Sequence, residues 1–540
     1  MKEFIEAPKI IYEKAKHENR LIEGLTLEEI KELALRQEGV VSTQFGSVAA
    51  DSEPTSRSAP KTKNSIDHQF GQEEKKLAKQ AIEALSKGNI ISLDVIVGDG
   101  KSGVTARFLI PEKYANVAYG LKLLFGEPEE RVVKNPTYKI IYFTDQAFER
   151  NKRFLDVRKK DVTIRLWMGN KIGEQVKICR NTTYLGEGKK GVFQFEDWRV
   201  KSIDKEGIFL HAGVRRDHLW VYDYSTRRPE LKEIVTAVSG LTATGKTTTL
   251  CRKIGRLPGE RSEMIGDDGG TFGFDGSYCN FELKGVFVKT ENLDERTQPE
   301  IYKAATSSEA YLENITLGIY PYIPNFKDLS KTANGRAIVL RENLGIASIN
   351  IRANKVDNII LLTRNPLMNV ISELTHEQAT MQFMYGESIE SSGGNPAEAG
   401  KFKRQLFLDP FIVGDRIKHA MTFYEFLERN PNVRCYLSNT GTIGQDEIKV
   451  TLKDSLAVYN DLLRGQLKFS IKTDILGYHY PVKCDRANLD FLRAEPLFKN
   501  KKLLRKKVAD FLRGRREFLK QIESNSQKIP KHIKNSLRFR

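Results

Sequence analysis

Runs of apolar residues separated by short polar stretches mark the elements of this chain. Residues 89–97 (NIISLDVIV) are β-branched and bounded by turn residues, so the pattern predicts a strand. Residues 138–143 (YKIIYF), 234–239 (IVTAVS) and 358–363 read the same way, with several short β-type runs between 143 and 224. Helical spacing appears at 111–125 with Pro111 at its start, and at 375–385 and 417–429. Thr26 and Glu29 form a capping-box pair ahead of Ile30, Leu33 and Leu35, and Gly39 closes that short helix. Residues 49–75 are polar and turn-rich without periodicity, which predicts a long loop or a linker, and long loops inside compact enzymes are often functional. Residues 226–232 (TRRPELK) read as a domain boundary, and no internal repeat is present. Strands alternating with helices in the second half predict an α/β or mixed α+β fold.

A length of 540 residues favours about three to four domains, or two large ones. No stretch approaches the apolar length of a membrane helix, and the charged N-terminus lacks the apolar core of a secretory signal. The formal charge of +17 at first suggests nucleic acid. Residues 499–540 hold 15 Lys/Arg against 3 acids, however, so the body is close to neutral. That argues against a polyanion partner for the body and leaves one open for the tail. Leu503, Leu504, Val508, Phe511, Leu512 and Phe518 give the tail an apolar stripe, which predicts an amphipathic helix docked on the body or on another subunit. Five widely spaced cysteines, with no C-x-x-C pair, argue against a disulfide framework or a cysteine zinc site and for a reducing, cytoplasmic setting.

The strand 234–239 runs into Gly240, Leu241, Thr242, Ala243, Thr244, Gly245, Lys246 and Thr247, followed by Thr248 and a helical pattern to Gly255. This matches G-x-x-x-x-G-K-[ST] in the strand–loop–helix context the motif requires. Its glycines let backbone N–H groups approach phosphate oxygens, Lys246 offsets phosphate charge, and the Thr247 hydroxyl suits Mg²⁺. Asp267 and Asp268 lie some twenty residues downstream, where metal ligands of a phosphate loop are expected.

With that pair, the chain resembles the ATP-dependent phosphoenolpyruvate carboxykinases, and their other segments follow in order. Thr55, Ser56, Arg57 and Ser58, with Pro60 and Lys61, are similar to the family's T-G-R-S-P-K loop. Tyr184 to Phe193 is similar to Y-G-G-E-M-K-K-G-M-F. His211 stands in the segment that carries the family's metal-binding histidine. Leu312, Glu313 and Asn314 follow, then Thr332 to Arg336 for T-E-N-T-R. Asn439, Thr440 and Gly441 precede 449–455, which resembles the nucleotide-base segment through Lys449, Val450 and Ser455.

The resemblance implies a two-domain fold: residues 1–230 for substrate, 231–498 as the P-loop nucleotide and metal domain, a mobile lid near 386–412, and the basic tail 499–540. It implies conversion of oxaloacetate and ATP to phosphoenolpyruvate, ADP and CO₂, a gluconeogenic step using Mg²⁺ and Mn²⁺, in a monomer or homo-oligomer. Lys190, His211 and Asp268 would hold Mn²⁺, and Asp267 and Thr247 would serve the nucleotide's Mg²⁺. Lys189 and Lys246 would offset phosphate charge. Arg57 and Arg336 would orient substrate, Tyr184 would meet CO₂, and Thr242 would keep a hydroxyl near the substrate. Three departures stand out: Ala243 for Gly, Lys449 for Arg, and a lid sequence unlike the family's. They keep open a kinase of the same fold acting on another small acceptor, and GTP or pyrophosphate as donor. A nucleotide-binding regulator working through the tail is the reading from another class.

Overall fold

The computed structural model describes residues 1–150, 161–223, 225–240, 246–389, 401–404, 411–524 and 527–537. They form two compact units: 1–205 with 279–345, and 206–278 with 346–540. The units interleave along the chain, whereas the sequence pattern suggests a single cut near 231.

The first unit contains a seven-stranded mixed sheet. Its order is Leu21–Glu23, Ile90–Val97, Val104–Pro111, Tyr138–Phe143, Gln175–Arg180, Thr163–Trp167 and Thr62–Asn64. Helices Lys2–His17 and Gln72–Ala84 bury Phe4, Ala7, Ile11, Leu77, Ala78 and Ala81 against Ile90, Leu109, Ile141, Val176 and Ile178. These apolar positions fall three and four apart in both helices, so one stripe of each faces the sheet. Helix Leu27–Leu35 starts at the expected cap: Glu29 N–H donates to Thr26 Oγ1 at 3.2 Å, and Thr26 N–H donates to the Glu29 carboxylate at 2.7 Å. Helix Ala115–Phe125 is buried at every position, as its apolar composition on all faces requires. Pro111 ends the preceding strand instead of starting this helix, and a single 3₁₀ turn, Glu112–Tyr114, intervenes. A Cβ on Gly120 would lie 2.3 Å from Leu185 Cδ1 and 2.9 Å from Tyr311 Cδ1, so this helix packs at glycine distance. A second, five-stranded sheet comprises Gly285–Lys289, Arg336–Leu340, Tyr311–Glu313, Val48–Ala50 and Val41–Ser42. The expected loop 49–75 therefore contributes to both sheets of this unit.

The second unit is built on an eight-stranded sheet. Its order is Arg261–Gly266, Ala212–Asp223, Arg228–Ser239, Asn358–Thr363, Arg434–Asn439, Ile371–Leu374, His479–Lys483 and Lys468–Thr473. Residues 226–232 are not a boundary. They open the return strand of a hairpin in which Asp223 pairs with Arg228 and Ala212 with Ser239. Arg228–Ser239, Asn358–Thr363 and Arg434–Asn439 run parallel at the centre of the sheet. Helix His376–Tyr385 packs on it, and helix Arg416–Arg429 packs on that helix and on the strand Gly207–Leu210, each begun by a side-chain cap, Thr375 and Asp415.

The tail forms the helix Lys501–Ser524, whose Leu504, Val508, Phe511, Leu519 and Ile522 join the core of this unit. Buried among them, Arg515 donates to Glu387 Oε2 at 2.6 Å and to Gln382 and Tyr478. Arg404 also donates to Glu387 Oε1, at 2.9 Å. Of the expected lid, residues 390–400 and 405–410 lie outside the described residues, and its base is the hairpin Glu387–Ile389 with Phe402–Arg404. All five cysteines are free thiols. No helix among the described residues is long and apolar enough to cross a membrane.

Candidate functional site

In the second unit the strand Arg228–Ser239 delivers Gly240 at the carboxyl edge of the parallel strands, where ligands bind in open α/β sheets. Leu241, Thr242, Ala243, Thr244 and Gly245 lie outside the described residues, as do the side chains of Thr247 and Thr248. The helix that follows is Lys246–Leu250, shorter than the nine residues its sequence suggests. Three successive threonines are weak helix formers. Buried Arg215 also draws off the carbonyls of Thr249 and Arg252, at 2.6 and 2.8 Å, which continued helix would need.

At the first residue of this helix three functional side chains meet. Lys246 Nζ lies 3.1 Å from His211 Nε2 and 3.3 Å from Asp268 Oδ1. His211 Nε2 and Asp268 Oδ1 are 2.9 Å apart. His211 is held where Gly207–Leu210 passes into Ala212–Asp223. Its carbonyl accepts from Ser239 Oγ at 3.0 Å, and its ring stands edge-on to Phe411. Taken alone, a histidine in the apolar run IFLHA is a core residue. Here its Nε2 is turned onto a carboxylate and an amine at the phosphate-loop helix. Asp267, the sequence neighbour of Asp268, is buried. Among the described residues no three His, Cys, Asp or Glu side chains group as a metal site. The imidazole nitrogen and the carboxylate oxygen are nonetheless at the separation of two donors sharing one cation, about 3 Å for bonds near 2.1 Å. A borderline nitrogen with a hard oxygen suits Mn²⁺.

Lys449 ends the strand Ile448–Lys449 and is exposed. Val450 is buried, with its N–H donating to Gly441 carbonyl at 2.9 Å. Ser455 is buried in the first turns of helix Leu452–Leu463, which Thr451 caps with Asp454. Asn439 ties this region together: its Nδ2 donates to the carbonyls of Asn365, Met368 and Thr442, and its Oδ1 accepts from Gly441 N–H.

In the first unit Asn334 joins three of the expected residues. Its Nδ2 donates to the Thr55 carbonyl at 2.9 Å, two residues from Arg57, and approaches Tyr184 Oη at 3.3 Å. Its Oδ1 accepts from Arg336 Nη2 at 2.9 Å. Burial raises the Tyr184 phenol above its ordinary value and keeps it protonated. A Cβ on Gly186 would enter the Tyr184 ring at 2.3 Å, so only glycine permits this pose. Burial lowers the proton affinity of Arg57, opposed by the Glu187 carboxylate, and the guanidinium remains charged.

Glu187 was not among the residues the sequence singles out. Both it and Lys177 are sealed from solvent, with Lys177 Nζ 3.1 Å from Glu187 Oε2. Its Oε1 accepts from Ser58 N–H at 2.7 Å. The residue after Arg57 is thereby fixed to the helix Leu185–Trp198 that carries Lys189 and Lys190. Lys189 Nζ makes a buried pair with Glu282 Oε1 at 2.5 Å and lies over the Phe287 ring, so its charge already has a partner. Lys190 Nζ lies over Phe193 at 4.9 Å. Glu313 pairs across the sheet with Arg336 and accepts Leu185 N–H at 2.9 Å. Glu187, Glu282 and Asn334 act through contacts between distant segments, and only the glutamate of the Y-x-G-E-x-K-K segment and the asparagine of T-x-N-x-R left a signal in sequence.

A parallel-stranded unit that ends a strand in a phosphate-loop sequence, and begins the next helix with a lysine set on imidazole and carboxylate, defines a P-loop α/β enzyme. The sequence model of the phosphoenolpyruvate carboxykinase family matches residues 19–489. The chain belongs to that family. Curated relatives carry the name phosphoenolpyruvate carboxykinase (ATP). That of Aeropyrum pernix is 30% identical over 324 residues, 59% of this chain and 62% of the relative, so the match spans less than two thirds of that protein. That of Campylobacter jejuni is 27% identical over 403 residues, 73% of this chain and 70% of the relative. That of Sulfurimonas denitrificans is 24% identical over 481 residues, 84% of each. The tail beyond residue 489 lies outside the family match.

Proposed function

We propose that this chain catalyses the ATP-dependent conversion of oxaloacetate to phosphoenolpyruvate, ADP and CO₂. The observation that carries this reading is the meeting of Lys246, His211 and Asp268 at the phosphate-loop helix, in a chain matched to the family over most of its length.

Decarboxylation leaves an enolate whose charge needs preorganised cations, and its oxygen must then attack the γ-phosphorus in line. Arg57 and Arg336 supply planar guanidinium groups for the carboxylates of the substrate and for the enolate. Asn334 holds Arg336, the Thr55 carbonyl and Tyr184 in one constellation, which limits the freedom of the bound dicarboxylate. The protonated Tyr184 phenol offers a hydrogen bond to the departing carboxyl as it becomes CO₂. Lys246 neutralises the terminal phosphates, exchanging its contact with Asp268 for phosphate oxygens as nucleotide binds. Lys449, Val450 and Ser455 serve the nucleotide base, and the loop 240–248 the phosphates.

His211 and Asp268 fit as Mn²⁺ ligands, the resemblance adds Lys190 as a neutral amine, and Asp267 and Thr247 serve the nucleotide's Mg²⁺. Bound there, Mn²⁺ supplies Lewis-acid polarisation of the substrate carbonyl and charge neutralisation at the γ-phosphate. As metal ligands, His211 would bind through its Nε2 lone pair and Asp268 through a carboxylate oxygen.

Purified protein incubated with oxaloacetate, ATP and Mn²⁺ forms phosphoenolpyruvate, and Asp268→Asn loses that activity while keeping its fold. Absence of product with ATP, GTP and pyrophosphate alike rejects the proposal.

A further inference from the structure

Arg364 follows directly on the strand Asn358–Thr363. That strand is parallel to Arg228–Ser239, with Leu361 opposite Ser239, and to Arg434–Asn439, with Thr363 opposite Asn439. Arg364 therefore stands at the carboxyl edge of three adjacent parallel strands. On one side the neighbouring strand leads through Gly240 into the phosphate-loop sequence. On the other it leads into Asn439, Thr440 and Gly441.

The stem of Arg364 is built into this edge. A Cβ on residue 441 would lie 3.0, 3.2 and 3.2 Å from Arg364 Cβ, Cα and Cγ, so Gly441 makes the room for it. The next residue, Thr442, pairs with Lys449. Arg364 is half-buried, and its Nε is shut off from solvent without a hydrogen-bond partner among the described residues. No ion pair balances it among those residues. Six buried arginines give the contrast. Arg107, Arg165, Arg199, Arg215, Arg464 and Arg515 each hold a carboxylate. Lost hydration lowers the proton affinity of Arg364, and no charge among the described residues offsets it. A guanidinium does not discharge in a protein, so the strain of an unpaired, partly dehydrated cation persists until an anion arrives.

We propose that Arg364 is an anion-binding residue of the nucleotide site, giving its guanidinium to a phosphate of the bound nucleoside triphosphate. This rests on the ATP-dependent reading above. The position favours phosphate over a free carboxylate, because both flanking strands feed segments assigned to the nucleotide.

The test uses the full chain, with Arg364→Met and Arg364→Lys beside the parent. Thermal melts are recorded without ligand and with Mg²⁺-ATP, and KM is measured for ATP and for oxaloacetate separately. In Arg364→Met the ligand-free Tm holds or rises, since an uncompensated cation has been removed. Its ATP-induced shift shrinks and its KM for ATP rises about tenfold or more, the loss of one charge-assisted hydrogen bond. Arg364→Lys falls between, and KM for oxaloacetate is unchanged. An undiminished ATP response in Arg364→Met overturns the inference. So does a rise confined to the oxaloacetate KM, which would make the ligand a carboxylate. A fall in ligand-free Tm with normal ATP response would make Arg364 structural and would also overturn it. A parent that neither responds to ATP nor forms phosphoenolpyruvate removes the ATP-dependent reading itself. A parent that does both while Arg364→Met matches it removes only the role of Arg364.

Discussion

Glu313 carries a strong pH dependence in the first unit. It is wholly buried on the strand Tyr311–Glu313; Oε1 accepts from Leu185 N–H, and Oε2 has no partner among the described residues. Burial pushes its carboxyl from 4.5 up to about 7, outweighing the Leu185 N–H, Ser52 and the more distant Arg336 charge, which all favour the anion. Between these two values the native state keeps a proton that the unfolded chain has lost. The native state thus binds more protons, and the stability Glu313 contributes falls as pH rises through that window. Below pH 4.5 both states are protonated and the contribution is constant. Between pH 5 and 8 the loss amounts to about 2.5 kcal/mol, at 1.36 kcal/mol for each tenfold change in proton affinity. Glu313→Gln keeps an oxygen for the Leu185 N–H and cannot ionise. The variant should therefore gain about 2.5 kcal/mol on the parent between pH 5 and pH 8, because every other titrating group is common to both. Urea unfolding followed by tryptophan fluorescence reads this directly, since Trp167 and Trp198 lie in the same unit as Glu313. A Gln–Glu stability difference equal at the two pH values within about 0.5 kcal/mol would refute the reasoning.

Two further outcomes follow from the buried charges. Arg515→Met leaves Glu387 with Arg404 as its remaining ion-pair partner and should destabilise the second unit by about 3–5 kcal/mol in thermal or chemical denaturation; a change below about 1 kcal/mol would show that the helix Lys501–Ser524 is held by its apolar face alone. Glu187→Gln weakens the hold on Ser58 N–H and leaves Lys177 without its counter-charge. Steady-state kinetics should show KM for oxaloacetate rising several-fold with KM for ATP unmoved, and equal effects on both would contradict its place beneath the Arg57 loop.

Much of this protein was written locally. Thr26 with Glu29 and Thr375 with Gln378 are side-chain caps whose bonds span three residues, so the helices they begin were legible without any tertiary knowledge. The strands at 90–97, 138–143 and 358–363 were legible for the same reason: their apolar runs are long enough to be buried on both faces. The tail stripe named Leu504, Val508 and Phe511, which enter the core, and Leu512 and Phe518, which pack against it, but missed Leu519 and Ile522. The P-loop helix was overcalled, because Arg215, some thirty residues upstream, takes two of the carbonyls that helix would use. The hairpin 212–239 hid a false boundary at 226–232, since turn residues at a hairpin tip and at a domain junction have the same composition.

For the site, the residue types and their order along the chain were enough to name the family and to propose the chemistry. Tertiary structure alone decided which charges are spent on each other and which stay available. Lys189 is taken up by Glu282, Glu187 by Lys177 and Ser58, and Arg515 by Glu387. Arg364 has none of these partners among the described residues. Coulomb energy depends on separation and on the water removed around a pair, and neither quantity can be read from position in a linear sequence.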